Sequence, residues 1–499
     1  MRGFERIYRM KRFLTLILVF LMLVSCFAMA SCNKNDKNNP ADTKGDEEYI
    51  QPDDLNEQLD IPESVMFDGE FKILGFNGLV PEFGDSTLSE PDMVEQTLLE
   101  RDYFVEERLG VIFQYSSMNG QWGDRLTYSD TVRTAVLAGN KAWDLIGTYS
   151  MIPANLAING ITVDLAQLDY LNFEKAWYSQ FMVDACTAQG KTYFISGDVS
   201  TNLLYSMQGV LFSAERAKDN GIEEADLYQM VYDGTWTVEN WFTMCEDLGQ
   251  ELGGDGVWDR FDFYPIVVSG QSWLDSFYFS TGMKTVEVNE NGVLQVSGDL
   301  LSEKVMEIYA NVYDAVNTYH SFSVDAHPQA LLEEKCIFSI SQMAEFRSTL
   351  AQSEEMLRLL PFPKYEEGSN TTYMTTLSFG HTQYCIPKDI DDPDRSAAVL
   401  ETLGYASYVY ITPVIFEETM KLRYSENSDV SNMFDYLRRG CTFDIGSFYC
   451  IPFERWGSPH GMFRSAIVNG VTNWVSNYNN NFKTGTEHMV EELNKFYSK

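Results

Sequence analysis

The sequence predicts an α/β fold divided into two lobes. Three observations lead to this expectation: a length of 499 residues, a hydrophobic content of 44%, and an alternation of short apolar strands with helical stretches from Phe71 onward. The apolar content excludes a disordered chain. A single core rarely grows beyond about 300 residues, so a chain of this length is expected to form two lobes. Strand–helix–strand alternation is typical of parallel sheets covered by helices.

The elements of the first lobe follow one another closely. Apolar strands are predicted at residues 71–76 and 111–113, with a helix at 93–109 between them. A second helix, capped by Asp130, leads to a buried strand at 143–146. Because each strand is followed by a helix and then by another strand, the sheet is expected to be parallel.

The carboxyl ends of these strands are the expected place for a ligand, as in other open α/β sheets. This rule makes Asn77 and the turn at 147–150, which contains Tyr149, candidate site residues. Further along, an apolar strand is predicted from residue 203 to residue 212. This strand is expected to cross from one lobe to the other.

The N-terminus predicts export. A basic segment precedes the apolar run from Phe13 to Ala30, and small residues and Cys32 follow it. This order predicts a lipoprotein signal peptide at residues 1–31, with lipid attached at Cys32. Two alternatives stay open: a transmembrane helix, because about 18 apolar residues nearly span a bilayer, and cleavage before Cys26. Two acyl chains on Cys32 would hold the protein durably at the extracellular side of the cell membrane.

Residues 32–66 are predicted to form a flexible tether, because so few apolar side chains cannot offset the entropy lost on ordering. The formal net charge of the whole chain is −37. Such an acidic surface repels phosphate backbones, so nucleic acid is not an expected partner.

The cysteines predict neither a zinc ribbon nor a redox motif, because no C-x-x-C pair occurs. Outside the signal and the lipid site they are interpreted as small buried hydrophobes, with a bridge between Cys441 and Cys450 as the alternative. An acidic segment aligns with a calcium loop, but Gly253 replaces one ligand position. We expect a metal-free acidic turn there, and the alternative is a structural calcium held by Glu251, Asp255, Asp259 and Asp262.

Six short segments, taken in order, resemble the extracellular solute-binding lipoproteins of ABC importers, in particular the sugar-binding group akin to maltose-binding protein. They are AGNKAWDL (138–145), GKTYFI (190–195), GTWT (234–237), GDGVWD (254–259), LPFPKY (360–365) and IPK (386–388). The resemblance extends over residues 67–448, which is most of the mature chain.

The resemblance implies a two-lobed periplasmic-binding-protein-like (type II) fold with a ligand cleft between the lobes. Lobe I is expected to comprise 67–202 and 358–405, and lobe II 203–357 and 406–499. The implied function is capture of a carbohydrate, in particular an oligosaccharide. The protein would deliver this ligand to the permease subunits of an ABC transporter. The protein is expected to act as a monomer, without a cofactor.

Aromatic and acidic side chains predict the sugar site. A pyranose has an apolar C–H face and a polar rim, so it needs a ring beneath the face and carboxylates or amides at the hydroxyls. Besides Asn77 and Tyr149, the predicted ligand-binding residues are Trp177, Asp198, Trp273, Asp275 and Phe379. Trp236 is assigned to packing at a helix entry.

No catalytic residues are predicted, and the chain is not expected to be an enzyme. The five histidines show no H-E-x-x-H spacing, and neither G-x-S-x-G nor G-x-G-x-x-G occurs. A cell-surface glycoside hydrolase or a glycan-binding adhesin stays open as an alternative, because the separation of two catalytic carboxylates is spatial. Within the receptor class a cationic or peptide ligand is the alternative, since acids and aromatics also make cation cages.

Overall fold

The computed structural model describes residues 58–499, apart from 79, 86, 354, 356, 369–371 and 417–427. The predicted signal peptide, Cys32 and residues 32–57 of the predicted tether lie outside the described residues. Residues 58–66, which belong to the predicted tether, are described, and some of them contact the rest of the fold. Ile61 is buried there, and its carbonyl accepts a hydrogen bond of 2.7 Å from the Arg108 guanidinium. An argument from composition does not detect a single apolar residue that anchors an otherwise polar stretch.

The strands alternate with helices over the first part of the chain, as the sequence predicts. In chain order they are β1 (Glu70–Phe76), β2 (Ile112–Met118), β3 (Leu145–Tyr149), β4 (Thr187–Ala188), β5 (Lys191–Thr192), β6 (Gln208–Ser213), β7 (Ile266–Val268), β8 (Val286–Val288), β9 (Leu294–Val296), β10 (Phe322–Ser323), β11 (Phe338–Gln342), β12 (Leu357–Leu360), β13 (Thr375–Thr376), β14 (Thr382–Cys385) and β15 (Cys441–Thr442).

The helices become denser toward the C-terminus. In chain order they are α1 (Met93–Leu109), α2 (Arg125–Leu137), α3 (Ile152–Ile158), α4 (Gln180–Cys186), α5 (Thr201–Ser206), α6 (Ala214–Asp219), α7 (Glu224–Asp233), α8 (Val238–Cys245), α9 (Ser276–Phe279), α10 (Glu303–Asn317), α11 (Ala344–Arg347), α12 (Pro393–Ala406), α13 (Thr412–Phe416), α14 (Ser428–Arg439), α15 (Ile445–Phe448), α16 (Cys450–Phe453), α17 (Met462–Val468), α18 (Trp474–Asn481) and α19 (Lys483–Tyr497).

The first sheet has the strand order β14-β3-β1-β2, with β1 parallel to both β2 and β3 and with β14 antiparallel to β3. The predicted strand–helix–strand unit is confirmed. Helix α1 begins with a capping box, in which Asp92 and Glu95 each accept a hydrogen bond from the other's backbone amide. Its buried side chains cover the sheet, so β1 contributes Phe71 and Ile73 to a core without solvent.

The second sheet has the order β10-β7-β11-β6-β12. Strand β7 is parallel to β10 and β11, whereas β6 is antiparallel to β11 and β12. Trp236 is fully buried beside this sheet, and its indole N–H donates to the Pro361 carbonyl at 2.8 Å. Its predicted packing role is therefore confirmed. Together the two mixed sheets give the α/β class that the sequence predicts.

Three predicted boundaries are wrong. Helix α2 begins at Arg125, so Asp130 lies inside it and caps nothing. Residues 147–149 belong to strand β3, so the turn begins only at Ser150. The predicted strand 203–212 is helix α5 followed by β6, because Ser200 caps the helix by accepting from the amide of Leu203. Short apolar runs suit buried helices and buried strands equally, and a cap decides between them.

The chain passes from the first sheet to the second through α5 and returns before β14. The predicted return at residue 358 lies inside β12, whose four residues pair with β6 in the second sheet. The connection after β12 touches the outgoing one at an isolated bridge between Met207 and Leu377. Residues 393–416 form a long apolar helical stretch, 67% buried in its most apolar window. That burial is typical of a core helix.

The six cysteines of the described part are buried and unpaired. Their interpretation as small hydrophobes is therefore confirmed, and Cys441 and Cys450 are not bridged in this structure.

Candidate functional site

A group of aromatic and charged side chains lies where the first sheet faces segments packed on the second. We call it the cleft cluster, and it consists of Trp122, Arg125, Tyr149, Phe379, His460 and Arg464. The first three follow or end strands of the first sheet. Arg464 lies on α17, which packs on the 3₁₀ helix Gln271–Asp275, and that helix contacts β7 and β11. The cluster therefore joins the two sheets.

Trp122 and Arg125 occupy the loop after β2. The chain turns at Gly120, where an added Cβ would lie 2.8 Å from the Tyr128 ring, so only glycine fits. The Arg125 guanidinium donates to the Trp122 carbonyl at 2.7 Å and lies 3.9 Å from the centre of its ring. It also donates two hydrogen bonds to Glu454, at 2.9 and 3.1 Å. Trp122 keeps 37% of its surface exposed.

Tyr149 ends strand β3 and is held edge-on by Phe76, with ring centres 6.3 Å apart. The residue is buried, yet its hydroxyl makes no hydrogen bond to any described residue. Burial raises the pKa of Tyr149 and Cys450 acts in the same direction, while Arg464 and Arg125 oppose the shift. A neutral hydroxyl beside two cations can donate to a ligand oxygen and accept from a ligand hydroxyl.

Phe379 precedes strand β14, and its carbonyl accepts a hydrogen bond of 2.8 Å from the Ser150 hydroxyl. Its ring meets His460 edge-on at 4.7 Å, and the Arg464 guanidinium lies 5.1 Å from its centre. The hydrogen bond from Ser150, the residue after Tyr149, brings the predicted residues Tyr149 and Phe379 into the same region of the fold. Ser150 and Phe379 lie 229 positions apart in the sequence.

His460 and Arg464 come from the C-terminal part of the chain. His460 stacks on Trp122 with ring centres 5.7 Å apart, and its Nε2 lies 3.2 Å from a guanidinium nitrogen of Arg464. Burial lowers the pKa of His460 to about 3, and the charges of Arg464 and Arg125 act in the same direction. Between them Gly461 has φ +65°, and a Cβ there would strike the Arg464 guanidinium at 2.5 Å.

Asp275 is buried and anchors the half-buried Arg464 through an ion pair. Burial raises the pKa of Asp275, and Arg464 opposes that shift. Two residues earlier, the Trp273 indole donates to the Ser269 hydroxyl at 2.8 Å. The predicted pair Trp273 and Asp275 thus lies in the segment beneath Arg464, where Asp275 orients the guanidinium.

Asn77 lies after β1, as expected, at the exposed edge of this region. Its amide donates to Asn119 at 2.8 Å, and its carbonyl accepts from Gln121 at 2.7 Å. Gln121 directly precedes Trp122, so Asn77 supports the loop that carries the exposed ring.

The position of Trp177 corrects its assignment as a ligand residue. It is fully buried and packs edge-on against Tyr405 at 5.6 Å. A Cβ on Gly404 would lie 2.6 Å from its ring. The sequence shows that Trp177 is an aromatic residue near a turn. It does not show that helix α12 covers this residue.

Asp198 is corrected in the same way. It is 4% exposed, forms an ion pair of 3.2 Å with Arg438 and accepts a hydrogen bond of 2.8 Å from Thr412. Burial raises the pKa of Asp198, and Arg438 opposes that shift. Both partners lie more than 200 positions away along the chain, so local sequence cannot show that the carboxylate is already satisfied.

The four acids of the calcium alternative bind their own loop. Glu251 accepts from the amide of Gly254, Asp255 from Val257, and Asp262 from Leu252. Asp259 likewise accepts from Phe261 at 2.8 Å. Within the described ranges no group of three or more His, Cys, Asp or Glu side chains is placed to hold a metal ion. The loop acids act as turn caps in this structure.

Sequence reasoning missed Trp122, Arg125, His460 and Arg464. For Trp122 a signal exists, because it follows a strand of the first sheet as Asn77 does. His460 and Arg464 have no such signal, since they follow a helical region and reach the site only through the fold.

The fold, with its two mixed sheets joined by crossing connections, is similar to that of solved substrate-binding proteins of ABC transporters. The chain matches the Listeria monocytogenes ABC substrate-binding protein Lmo0181, solved in complex with cycloalternan, at 13% identity and a TM-score of 0.51, covering 86% of this chain and 99% of that one. It matches the sugar-binding protein MalE from Xanthomonas citri at 11% identity and 0.53, covering 86% and 97%.

Mycobacterium tuberculosis UgpB, solved with glycerophosphocholine, is similar to the same degree, at 11% identity and a TM-score of 0.52, covering 85% of this chain and 98% of that one. At such identities the likeness concerns the fold. No protein-family model matches the chain, and no curated protein matches it.

Proposed function

We propose that this protein is the substrate-binding component of an ABC importer that captures a neutral oligosaccharide in the cleft cluster and releases it, unaltered, to the permease. The observation that carries the proposal is that Trp122, Tyr149 and Phe379 meet Arg464 and His460 between the two sheets. Separation of the lobes would uncover the face of Trp122 that His460 now covers. A pyranose can stack on that face while the surrounding polar groups bind its hydroxyls.

Charge balance favours a neutral ligand over a cation. Arg125 is paired with Glu454 and Arg464 with Asp275, so these four groups cancel. His460 adds no charge at neutral pH because its pKa is about 3. A cation cage needs uncompensated acid beside an aromatic face. Here Arg125 already occupies the Trp122 ring at 3.9 Å and would repel an ammonium group.

Binding without chemistry is supported by the state of the cluster's acids. A glycoside hydrolase needs one carboxyl group as acid and another as nucleophile or base. Asp275 and Glu454 are instead each paired with an arginine, so both carboxylates already have a charged partner. They orient the guanidiniums toward a ligand.

The proposal includes attachment of the exported protein to the membrane through acylated Cys32, with the folded part at the extracellular side. The protein would act as a monomer whose two lobes close on the ligand. The boundaries between these lobes would lie in the connections before β6 and β14. The closed shape is the form that a permease would recognise.

The test is calorimetry of the purified protein with maltotetraose, raffinose, cycloalternan, spermidine, a tripeptide and glycerophosphocholine. Binding of a sugar without release of reducing ends, together with compaction in small-angle scattering, is expected. Binding of only spermidine or the peptide would refute the sugar assignment. Hydrolysis would favour the enzyme alternative, and polymer binding without compaction would favour the adhesin.

Trp122→Ala is expected to weaken sugar binding about 10- to 100-fold, or roughly 1.5–3 kcal/mol, because the apolar platform is removed. Trp456→Ala is the matched control. Trp456 is 39% exposed and has a guanidinium, that of Arg455, 3.6 Å from its ring centre, but its ring packs against His488. Equal losses in the two variants would remove Trp122 from the site.

A further inference from the structure

The tautomer of His460 is determined by its neighbour. Nε2 lies 3.2 Å from a nitrogen of the Arg464 guanidinium. A guanidinium only donates hydrogen bonds, so Nε2 must be the acceptor. Arg464 is itself held by Asp275, which prevents it from turning away. The neutral ring therefore carries its hydrogen on Nδ1.

The Nδ1 atom of His460 has no partner. It is buried from solvent and makes no hydrogen bond to any residue in the described part of the chain. Leaving a buried donor unpaired is destabilising, so such groups in folded proteins call for an explanation. Trp122 packs on one side of the His460 ring and Phe379 lies at its edge. Both contacts are with aromatic rings, so neither supplies an acceptor for Nδ1–H.

We propose that His460 is a specificity residue of the binding site and that its Nδ1–H donates a hydrogen bond to an oxygen of the bound ligand. This assignment rests on the proposed function. The ligand chemistry that fits is an acceptor oxygen, a hydroxyl or ring oxygen, beside the apolar face that stacks on Trp122. An ammonium group presents only donors and would meet Nδ1–H and the two guanidiniums of Arg464 and Arg125 with no acceptor among them.

The same donor favours the ligand-bound form. In this structure Nδ1–H is buried and unpaired beside Trp122 and Phe379. A ligand that enters between His460 and Trp122 would bring an oxygen to this donor, and the new hydrogen bond would stabilise the bound form.

Two variants separate the donor from the ring. His460→Phe keeps an aromatic ring against Trp122 and removes both nitrogens. His460→Asn removes the ring and keeps an N–H donor near the position of Nδ1. Calorimetry with the sugars named above is expected to show a 10- to 100-fold loss of affinity for His460→Phe and at least a fivefold smaller loss for His460→Asn. Thermal unfolding checks that both variants fold.

Nuclear magnetic resonance of the full protein with ¹⁵N-labelled histidine provides a second readout, with His460→Asn to assign the signal. The expected result is hydrogen on Nδ1 in the free protein and a shift of that resonance when sugar binds. Hydrogen on Nε2, or wild-type affinity in His460→Phe, would overturn the assignment while the proposed function stands. A wild-type protein that binds none of the panel would instead refute the proposed function, and the role of His460 with it.

Discussion

The substitution Trp177→Ala separates a core residue from a ligand residue. Trp177 is fully buried against Tyr405, Tyr408 and Gly404, whereas Trp122 is 37% exposed in the cleft cluster. Burying a tryptophan removes about 150–250 Å² from water, which at roughly 25 cal/mol per Å² is about 4–6 kcal/mol. That figure is an upper bound, and large-to-small changes at buried aromatics cost about 3–5 kcal/mol.

The expected result is therefore a loss of about 4 kcal/mol in the free energy of unfolding. For a chain of 499 residues the entropy of unfolding is roughly 1 kcal/mol per degree, so the Tm should fall by about 4 °C. Sugar affinity of the folded fraction should change little. Trp122→Ala should show the opposite pattern, with weakened binding and a Tm lowered by only about 1 °C.

Calorimetric scanning and sugar titration of both variants provide the measurements. If Trp177→Ala kept the wild-type Tm and lost sugar affinity, Trp177 would contact the ligand. The burial described above would then be wrong, and so would the correction based on it.

Three further outcomes are expected. Asp198→Leu leaves the Arg438 charge buried without its partner and should lower the free energy of unfolding in urea by about 3–5 kcal/mol. The double variant with Arg438→Met should recover most of this loss. Equal losses in the single and double variants would contradict the ion pair. Burial lowers the pKa of His381 to about 4 from 6.5, so its contribution to stability is present above pH 6.5 and is lost as the pH falls toward 4. Between pH 7 and pH 5 the wild type should lose roughly 2 kcal/mol more than His381→Phe, and identical pH profiles would show that the imidazole is not buried. Cys32→Ala should release the protein from the membrane fraction and abolish labelling with fatty acid; unchanged fractionation would favour the transmembrane alternative.

Local patterns predicted the first strand–helix–strand unit well. Residues 93–109 have the apolar spacing of a helix, an acidic cap before them and a glycine after them, and the structure places α1 on the same residues. The same reasoning failed at residues 203–212, because a short apolar run does not specify helix or strand. There the cap at Ser200, which also donates its hydroxyl to Glu82, decides the outcome.

The sequence predicted only part of the candidate site. The rule for strand ends indicates Asn77 and Tyr149, and a strict use of it after β2 would have added Trp122. The rule has no means of finding His460 or Arg464, which belong to no strand. It also cannot show that Asp198 is neutralised by Arg438, which lies 240 positions later.

The amino-acid sequence by itself determined the α/β class and the early strand–helix order, because these depend on periodicity and caps within a few residues. Only the tertiary structure decided which side chains share the cleft cluster. Arg125 meets Glu454 across 329 positions, and Phe379 meets Ser150 across 229. Contacts of this kind arise from the packing of two sheets and their connections, so no local pattern contains them.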